Sequence, residues 1–303
     1  MAVQQIQPTI GTGAVGGATT GNSERLIPEL WAKEIADNRV DNLVLWQLID
    51  SRYSSKISSE GDVLHIPFVG EVTADYSANF TVGNDATVDN LNVTTVDLII
   101  DRYIRHGVGI QDAFKAQSAY DMRSPVQQRL GRWLDQAKDA EVQKKAVTGF
   151  SNTPVTATGT SGTLAFADIV NAAAKLDMAN VPEDDRYIVV NGMGRADLRK
   201  IPEFTAYKEV GQSGLVSSKK GFVGELYGMP VYVTNVIKAN TGTTPSYDFL
   251  MFHKSAIIGA TQTVPSMEFG RDYLKGQDDV IASELFGVKV LRPDHGIVIK
   301  RTV

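Results

Sequence analysis

The chain has 303 residues, of which 43% are hydrophobic and 21% charged, so it is long enough for one large domain or two lobes of an ordinary globular protein. It contains no cysteine, which excludes disulfides and thiolate metal sites, and no apolar run approaches the roughly 18 residues that cross a bilayer. A net charge of −5 argues against dedicated nucleic-acid binding, which normally needs a basic face.

The N-terminal segment, residues 1–22, is rich in Gly, Thr, Gln and Ala without periodicity, which is typical of a flexible arm. Within it, Gly11–Gly16 matches the dinucleotide-binding pattern G-x-G-x-x-G. That chemistry needs a strand before the loop and a helix after it. Pro8 and the Gly/Thr-rich residues 17–21 disfavour both elements, so we predict no nucleotide site here. We expect ordered structure to begin at Ser23, which suits a helix N-cap.

A strand pattern extends over residues 52–110. In the stretch Val63–Phe68, one set of alternate residues (Leu64, Ile66 and Phe68) is entirely apolar, as in a strand with one buried face. The stretch Val93–Ile104 is rich in β-branched and apolar residues. The Gly/Asn/Asp-rich residues 82–87 between them are typical of a loop tip. About 20 extended residues reach on the order of 65 Å, and a two-stranded ribbon of that length is marginal in water. We therefore expect the ribbon to lie on a neighbouring subunit.

The longest predicted helix follows the ribbon. Asp112 begins a short helix that ends near Asp121, and Ser124-Pro125 marks the start of a helix over 123–148, which Gly149 ends. Apolar residues recur along the long helix every three to four positions, at Val126, Leu130, Trp133, Ala137, Ala140 and Val147. The polar stretch Thr153–Gly162 predicts a linker and a domain boundary.

The remainder of the chain predicts short helices and strands in alternation. They are a helix over 166–180, a buried strand over 186–191, a short helix over 195–201, a polar loop over 202–220, strands on both sides of the corner Gly228-Met229-Pro230, and strands over 247–252, 284–292 and 296–301.

No arrangement of residues in the sequence predicts an active site. The four histidines are isolated from one another in sequence: His65, His106, His253 and His295. The run Glu183-Asp184-Asp185 has the chemistry to attract a divalent ion, but it follows Pro182, and a solvated turn is the favoured interpretation. Neither a G-x-S-x-G elbow nor a phosphate-binding G-x-x-x-x-G-K-[ST] loop occurs. We predict no catalytic residue, no cofactor and no metal site.

Two stretches in the second half of the chain complete an order of elements that can be compared with known families. Residues 221–235 read GFVGELYGMPVYVTN, and residues 284–300 read ELFGVKVLRPDHGIVIK. They follow a ribbon, a long helix and an α/β block, and in that order the pieces resemble the major capsid proteins of tailed bacteriophages, which have the Hong Kong 97-type fold. The resemblance covers roughly residues 24–303. No single motif is diagnostic, and the order of the elements carries it.

The resemblance implies an α+β fold in five parts. They are an N-terminal arm and helix (1–50), an extended β-arm called the E-loop (51–110), a peripheral domain with a spine helix (111–163), an axial domain (164–260) and the return strands of the peripheral domain (261–303). The peripheral sheet would then contain both 284–292 and 296–301. The polar loop 202–220 would face the axis of a capsomer.

The function implied by the resemblance is self-assembly, as hexamers and pentamers, into the icosahedral head that encloses double-stranded DNA without sequence-specific binding. The protein would be made in the bacterial cytoplasm and reside in the virion shell, with a portal protein as partner and decoration proteins left open. The type member carries a long N-terminal scaffolding region, whereas ordered structure is expected here from near residue 23, so we expect a separate scaffolding protein.

Two alternatives to a phage head stay open at this point. The first is an encapsulin-like nanocompartment shell, which shares the subunit but holds enzyme cargo. The second is a small-molecule-binding α/β enzyme, which would remain a monomer at high concentration.

Charge placement predicts where subunits meet. Residues 71–101 carry six acids and no Lys or Arg, whereas the long helix carries six bases against three acids. We hypothesise that the acidic arm of one subunit lies over the basic helix face of its neighbour. The predicted intersubunit contacts are Glu71, Asp75, Asp85 and Asp89 on the arm and Arg123, Arg129, Arg132 and Lys138 on the helix.

Overall fold

The computed structural model describes residues 43–57, 63–69, 93–117, 123–201, 221–240 and 245–302. All of these residues belong to one unit of the chain, Asp37–Val303. The predicted N-terminal arm, ribbon tip and polar loop 202–220 lie outside the described residues.

Six α-helices and eleven strands occur in the described part of the chain. The helices are α1 (Leu45–Leu48), α2 (Ser54–Ile57), α3 (Asp112–Gln117), α4 (Arg123–Gly149), α5 (Phe166–Met178) and α6 (Gly192–Leu198). The strands are β1 (Val63–Val69), β2 (Val93–Ile99), β3 (Arg102–Gln111), β4 (Val155–Thr156), β5 (Arg186–Val190), β6 (Phe222–Leu226), β7 (Met229–Val233), β8 (Ser246–His253), β9 (Ile257–Asp272), β10 (Gln277–Val290) and β11 (Gly296–Thr302).

The larger sheet has six strands in the order β4-β11-β8-β5-β7-β6. The pairs β4/β11 and β5/β7 are parallel, and the others are antiparallel. Strand β5 is buried along its whole length, as expected for an apolar run covered on both faces. Helix α5 contacts β4 and β11, and the second half of α4 reaches the same core through Val142 and Ala146. Helices of the same chain therefore cover the apolar side chains of this sheet.

The corner predicted at Gly228-Met229-Pro230 is a two-residue turn between β6 and β7. Tyr227 and Gly228 both adopt left-handed backbone conformations, with φ of 53° and 74°. Consecutive residues with positive φ fit the twist of a tight antiparallel hairpin, and Gly228 does so without a side-chain clash. The prediction of strands on both sides of this corner is confirmed.

The smaller sheet has three antiparallel strands in the order β3-β10-β9, with α4 on one face. Helix α4 has 27 residues and is therefore about 40 Å long. Its first half packs Leu130 and Leu134 against Ile110, Val280 and Ala282 of the sheet. Because its second half packs in the six-stranded core, this helix joins both sheets.

The prediction that 284–292 and 296–301 share a sheet is wrong. Strand β10 lies in the three-stranded sheet and β11 in the six-stranded sheet, and the helical turn Pro293–His295 separates them. Three successive residues of β11, Ile297 to Ile299, are buried. Such a run needs a sheet that is covered on both faces, which the larger sheet provides.

The polar stretch Thr153–Gly162 is part of the fold rather than a linker. It contains β4, and the Ala157 N–H donates to the Lys300 carbonyl at 2.8 Å. The buried Asp168 accepts a hydrogen bond from the Thr158 hydroxyl at 2.6 Å and from the Ala165 N–H at 2.8 Å. These bonds tie the stretch to the start of α5.

Two further boundaries differ from the predictions. Residues Ser54–Ile57 form the helix α2 although the region 52–110 predicted strand, and the short helix predicted over 195–201 begins at Gly192. Asn191 sets that start because its side chain accepts the Gly194 N–H at 2.9 Å.

Candidate functional site

The ribbon formed by β1 and β2 has one buried face and one exposed face. Its strands pair antiparallel from Val63↔Ile99 to Val69↔Val93, so residues 70–92 connect the strands at that end. The inner face supplies Ile66 and Leu98 to an apolar cluster that also contains Ile57, Ile100, Ile258 and Ala260. On the outer face, half of each of the Val93 and Ile99 side chains is exposed. The inner face of the described ribbon therefore packs on the subunit, and Arg292 lies 5.3 Å from the centre of the Phe68 ring near the far end of the paired strands.

A second exposed apolar surface lies at the turn between β9 and β10. Tyr273 is 85% exposed and Leu274 fully exposed, and Phe269 on the adjoining strand is also exposed. The carboxylate of Asp272 accepts the N–H groups of Leu274 and Lys275 at 3.0 and 3.2 Å. The Lys275 N–H, above all, lowers the pKa of Asp272. The turn therefore presents exposed apolar groups on a hydrogen-bonded backbone, as a binding surface does.

A network of charged side chains supports this hairpin. Arg271 donates to both Asp112, at the start of α3, and Asp278 of β10. Lys115 of α3 also donates to Asp278. The hydrogen bond from Arg271 lowers the pKa of Asp112, and those from Lys115 and Arg271 lower the pKa of Asp278. The turn and α3 are thus tied together at the surface.

The helix α4 carries a buried cation where the two sheets meet. Lys138, only 6% exposed, donates to the carboxylate of Glu284 on β10 and lies 4.2 Å from the centre of the Trp46 ring. Burial raises the pKa of Glu284, and the hydrogen bond from Lys138 opposes that shift. The pair joins α4 to β10, and loss of either partner would leave the other charge buried and uncompensated.

The next residue along the helix holds the segment before the ribbon. The buried carboxylate of Asp139 accepts the Val44 N–H at 2.7 Å and the Trp46 N–H at 3.0 Å. It thereby satisfies backbone donors at the start of the helix α1. Burial raises the pKa of Asp139 to about 6, and these backbone hydrogen bonds oppose the shift.

The predicted contact residues have different positions. Glu71, Asp75, Asp85 and Asp89 lie outside the described residues, and the side chain of Arg123 does too. Arg129 is exposed and Arg132 is half-buried, and both lie in the first half of α4. The prediction that Lys138 lies on an exposed basic face is wrong, because Lys138 is buried and paired with Glu284. Its position in the apolar register of α4 did not reveal this partner, which is distant in sequence.

The histidines are less isolated than the sequence predicts. The Ser255 hydroxyl lies 2.7 Å from Nδ1 of His253 and 3.1 Å from Nδ1 of His295, and burial lowers the pKa of both rings. His65 lies 2.5 Å from the Asp97 carboxylate, and His106 stacks on Trp133. The Ser255 cluster joins two helical turns, Lys254–Ala256 and Pro293–His295.

A cleft of about 730 Å³ opens at the carboxyl ends of the parallel strands β5 and β7. Its charged lining residues are Arg195 of α6 and Lys238, and Phe222 and Val223 supply apolar surface. Within the described ranges, no cluster of His, Asp or Glu suits a metal ion. Among the helices described, none is both long and apolar enough to cross a membrane.

A family model described as phage capsid protein matches residues 107–301, a range that begins within β3, contains the helix α4 and ends within β11. The chain belongs to the phage capsid protein family. No curated protein matches it. Among solved structures, it is similar to one from Mycobacterium phage Che8, with 26% identity and a TM-score of 0.74 over 90% of this chain and 97% of the other.

Two further structures share the fold. The capsid structure of the cyanophage P-SCSP1u gives 20% identity and a TM-score of 0.67, covering 91% of this chain and 93% of the other. The capsid of Ralstonia phage GP4 gives 15% identity and a TM-score of 0.66, covering 95% and 98%. The capsid protein described here is thus a mixed α/β structural protein, not an enzyme. It is a major capsid protein that assembles with its own copies to form the phage head, so its place is the virion shell.

Proposed function

We propose that the capsid protein builds an icosahedral head around double-stranded DNA, with subunit contacts of the Hong Kong 97 type. The ribbon within 51–110 is the extended arm, the three-stranded sheet with α4 is the peripheral domain, and the six-stranded sheet is the axial domain. Residues 1–50 form the N-terminal arm. The return segment is then 261–290, because β11 pairs with β8 in the larger sheet.

The ribbon supports this proposal most directly. Two paired strands with an exposed outer face bury too little apolar surface to be stable alone, and only their inner face packs on the subunit. A neighbouring subunit supplies the missing cover. A portal protein and a separate scaffolding protein are further partners of the assembled head in this proposal, decoration proteins are left open, and the enclosed DNA is held without sequence-specific contacts.

Charge complementarity gives the arm a docking face. We propose that the acidic residues Asp85 and Asp89, with Glu71 and Asp75, meet Arg129 and Arg132 of a neighbour, together with Arg123. A single exposed ion pair is worth about 0–1 kcal/mol, but many copies of one weak contact set register. Reversing Arg129 and Arg132 to Glu is expected to block assembly, and reversing Asp85 and Asp89 to Lys in the same chain is expected to restore part of it.

The test of the arm uses the register of the ribbon. Since Val69 and Val93 are paired, residues 70–92 can be replaced by a short Asn-Gly turn that keeps both strands. The variant is expected to stay folded by circular dichroism and to form no shells by negative-stain microscopy. Replacing residues 241–244 with two glycines is the control, which should assemble. Normal shells from the arm variant would overturn the proposal.

A further inference from the structure

The six-stranded sheet has chemically different surfaces at its two ends. Strands β5 and β7 are parallel, with Ile188 opposite Val231 and Val190 opposite Val233. Residues that precede these strands lie at one end of the sheet, and residues that follow them lie at the other. Five residues of strand separate the two ends by about 17 Å. A subunit therefore cannot bring one of its own ends to the other.

The end before the strands, here called the acidic end, consists of Met178, Glu183, Asp184 and Tyr227. Glu183 and Asp184 are exposed in the turn before β5, and Tyr227 is exposed in the turn before β7. Met178, the last residue of α5, is 84% exposed. The neighbouring Asp185 fixes the turn, because its carboxylate accepts the Tyr187 hydroxyl at 3.0 Å. Two carboxylates are thus presented beside two exposed apolar side chains.

The end after the strands contains the cleft described above, here called the basic cleft. Arg195 and Lys238 are exposed and line it, together with the apolar Phe222 and Val223, and none of the described lining residues is acidic. Within the described part of the chain, neither cation forms an ion pair. Nearby Lys200 and Arg301 differ, since both pair with the buried Asp197. The basic cleft therefore offers two cations beside apolar surface.

We propose that the acidic end of one subunit docks in the basic cleft of the next copy of this chain. The two surfaces match in charge and in apolar character, and they lie on opposite ends of one rigid sheet. Contacts between unlike surfaces repeat head to tail and close into a ring about a rotation axis. This inference rests on self-assembly of the chain, and it adds which surfaces meet within a ring.

Paired charge reversals test the docking. The first variant carries Glu183→Lys with Asp184→Lys, and the second carries Arg195→Glu with Lys238→Glu. Each variant alone brings like charges together, so its assembled fraction should fall at least tenfold by sedimentation and negative-stain microscopy. All four substitutions in one chain exchange the two charges and should restore rings.

Mixing the two variants gives a sharper result. In the first variant both ends are basic, and in the second variant both ends are acidic. An equimolar mixture can therefore assemble only if the two variants alternate around a ring. An even-numbered ring permits alternation and a five-membered ring does not. The mixture should therefore form six-membered rings, as flat or tubular assemblies, but no closed shells with five-fold vertices.

The control Lys289→Glu reverses an exposed charge on β10 in the three-stranded sheet, away from both ends of the six-stranded sheet, and it should assemble. Circular dichroism and thermal unfolding are measured for every variant. Wild-type chains that stay monomeric would count against self-assembly itself. Wild-type shells together with normal assembly by either single-end variant, or a four-substitution chain that folds but forms no rings, would overturn the docking alone.

Discussion

The helix α4 packs against both sheets, but the two sheets differ in how completely their apolar side chains are buried. In the six-stranded sheet, β5 and the middle of β11 are buried, and the chain supplies the cover for both faces. In the three-stranded sheet, α4 covers one face, and the hairpin beyond it exposes Tyr273 and Leu274. The comparison separates a part whose apolar side chains are covered by the chain itself from a part that leaves large apolar side chains exposed, as expected for a surface that meets other subunits.

The largest expected effect lies at Lys138, where the two parts join. Lys138→Met leaves the Glu284 carboxylate buried without its partner and should lower the free energy of unfolding by about 3 kcal/mol. The double variant Lys138→Met with Glu284→Leu removes both charges and should recover most of that loss. Urea unfolding of the purified subunit measures both. A loss below about 1 kcal/mol in the single variant would contradict this role for the ion pair.

A smaller effect is expected from pH at Asp139. Its folded pKa of about 6 lies above the ordinary value of 3.8, so the folded state binds a proton more tightly than the unfolded state. Stability from this group is therefore present at low pH and is lost as pH rises through 6. Between pH 7.5 and pH 5, this group alone should add about 1 kcal/mol to the free energy of unfolding, whereas His253 and His295, whose pKa values are lowered by burial, act in the opposite direction. Urea midpoints across this range should rise less in Asp139→Asn, and an equal rise in both proteins would exclude Asp139 as the source.

The smallest effect on stability, with a large effect on assembly, is expected at the hairpin turn. Tyr273→Ser with Leu274→Ser removes exposed apolar groups, so the free energy of unfolding should change by less than about 0.5 kcal/mol. Shell formation should nevertheless fall, because the turn loses its apolar contact surface. The control Lys289→Ser alters an exposed residue of β10 and should leave both measurements unchanged. Unimpaired assembly of the turn variant would remove it from the contact surfaces.

Local patterns in the sequence predicted the elements better than their arrangement. The alternation at Val63–Phe68, the apolar repeat of α4 and the run at β5 each have a period that local backbone geometry imposes. The separation of β10 from β11 was missed, because strand pairing depends on which faces are covered and not on local pattern. The Lys138–Glu284 pair was missed for the same reason, since its two residues lie in elements distant in sequence.

The candidate contact surfaces were predicted only in part. The exposed turn at Tyr273–Leu274 had a local signal in the flanking Asp272 and Gly276, which are typical of a hairpin turn. The basic cleft had none, because Arg195 and Lys238 come together only when β5 and β7 pair. The acidic run at Glu183-Asp184-Asp185 was recognised as a solvated turn, and its relation to the cleft required the sheet order.

The pairing of β4 with β11 also sets the timing of folding during synthesis. These strands are neighbours in the sheet, but Val155 pairs with Ile299, so nearly half of the chain separates them. The ribosome must release β11 before the six-stranded sheet can close between β4 and β8. Nascent chains that share a messenger RNA therefore cannot present completed subunit surfaces to one another early in translation. A late-folding strand thus delays association through completed subunit surfaces until β11 has left the ribosome, and the unpaired edges of β4 and β8 must stay protected until then.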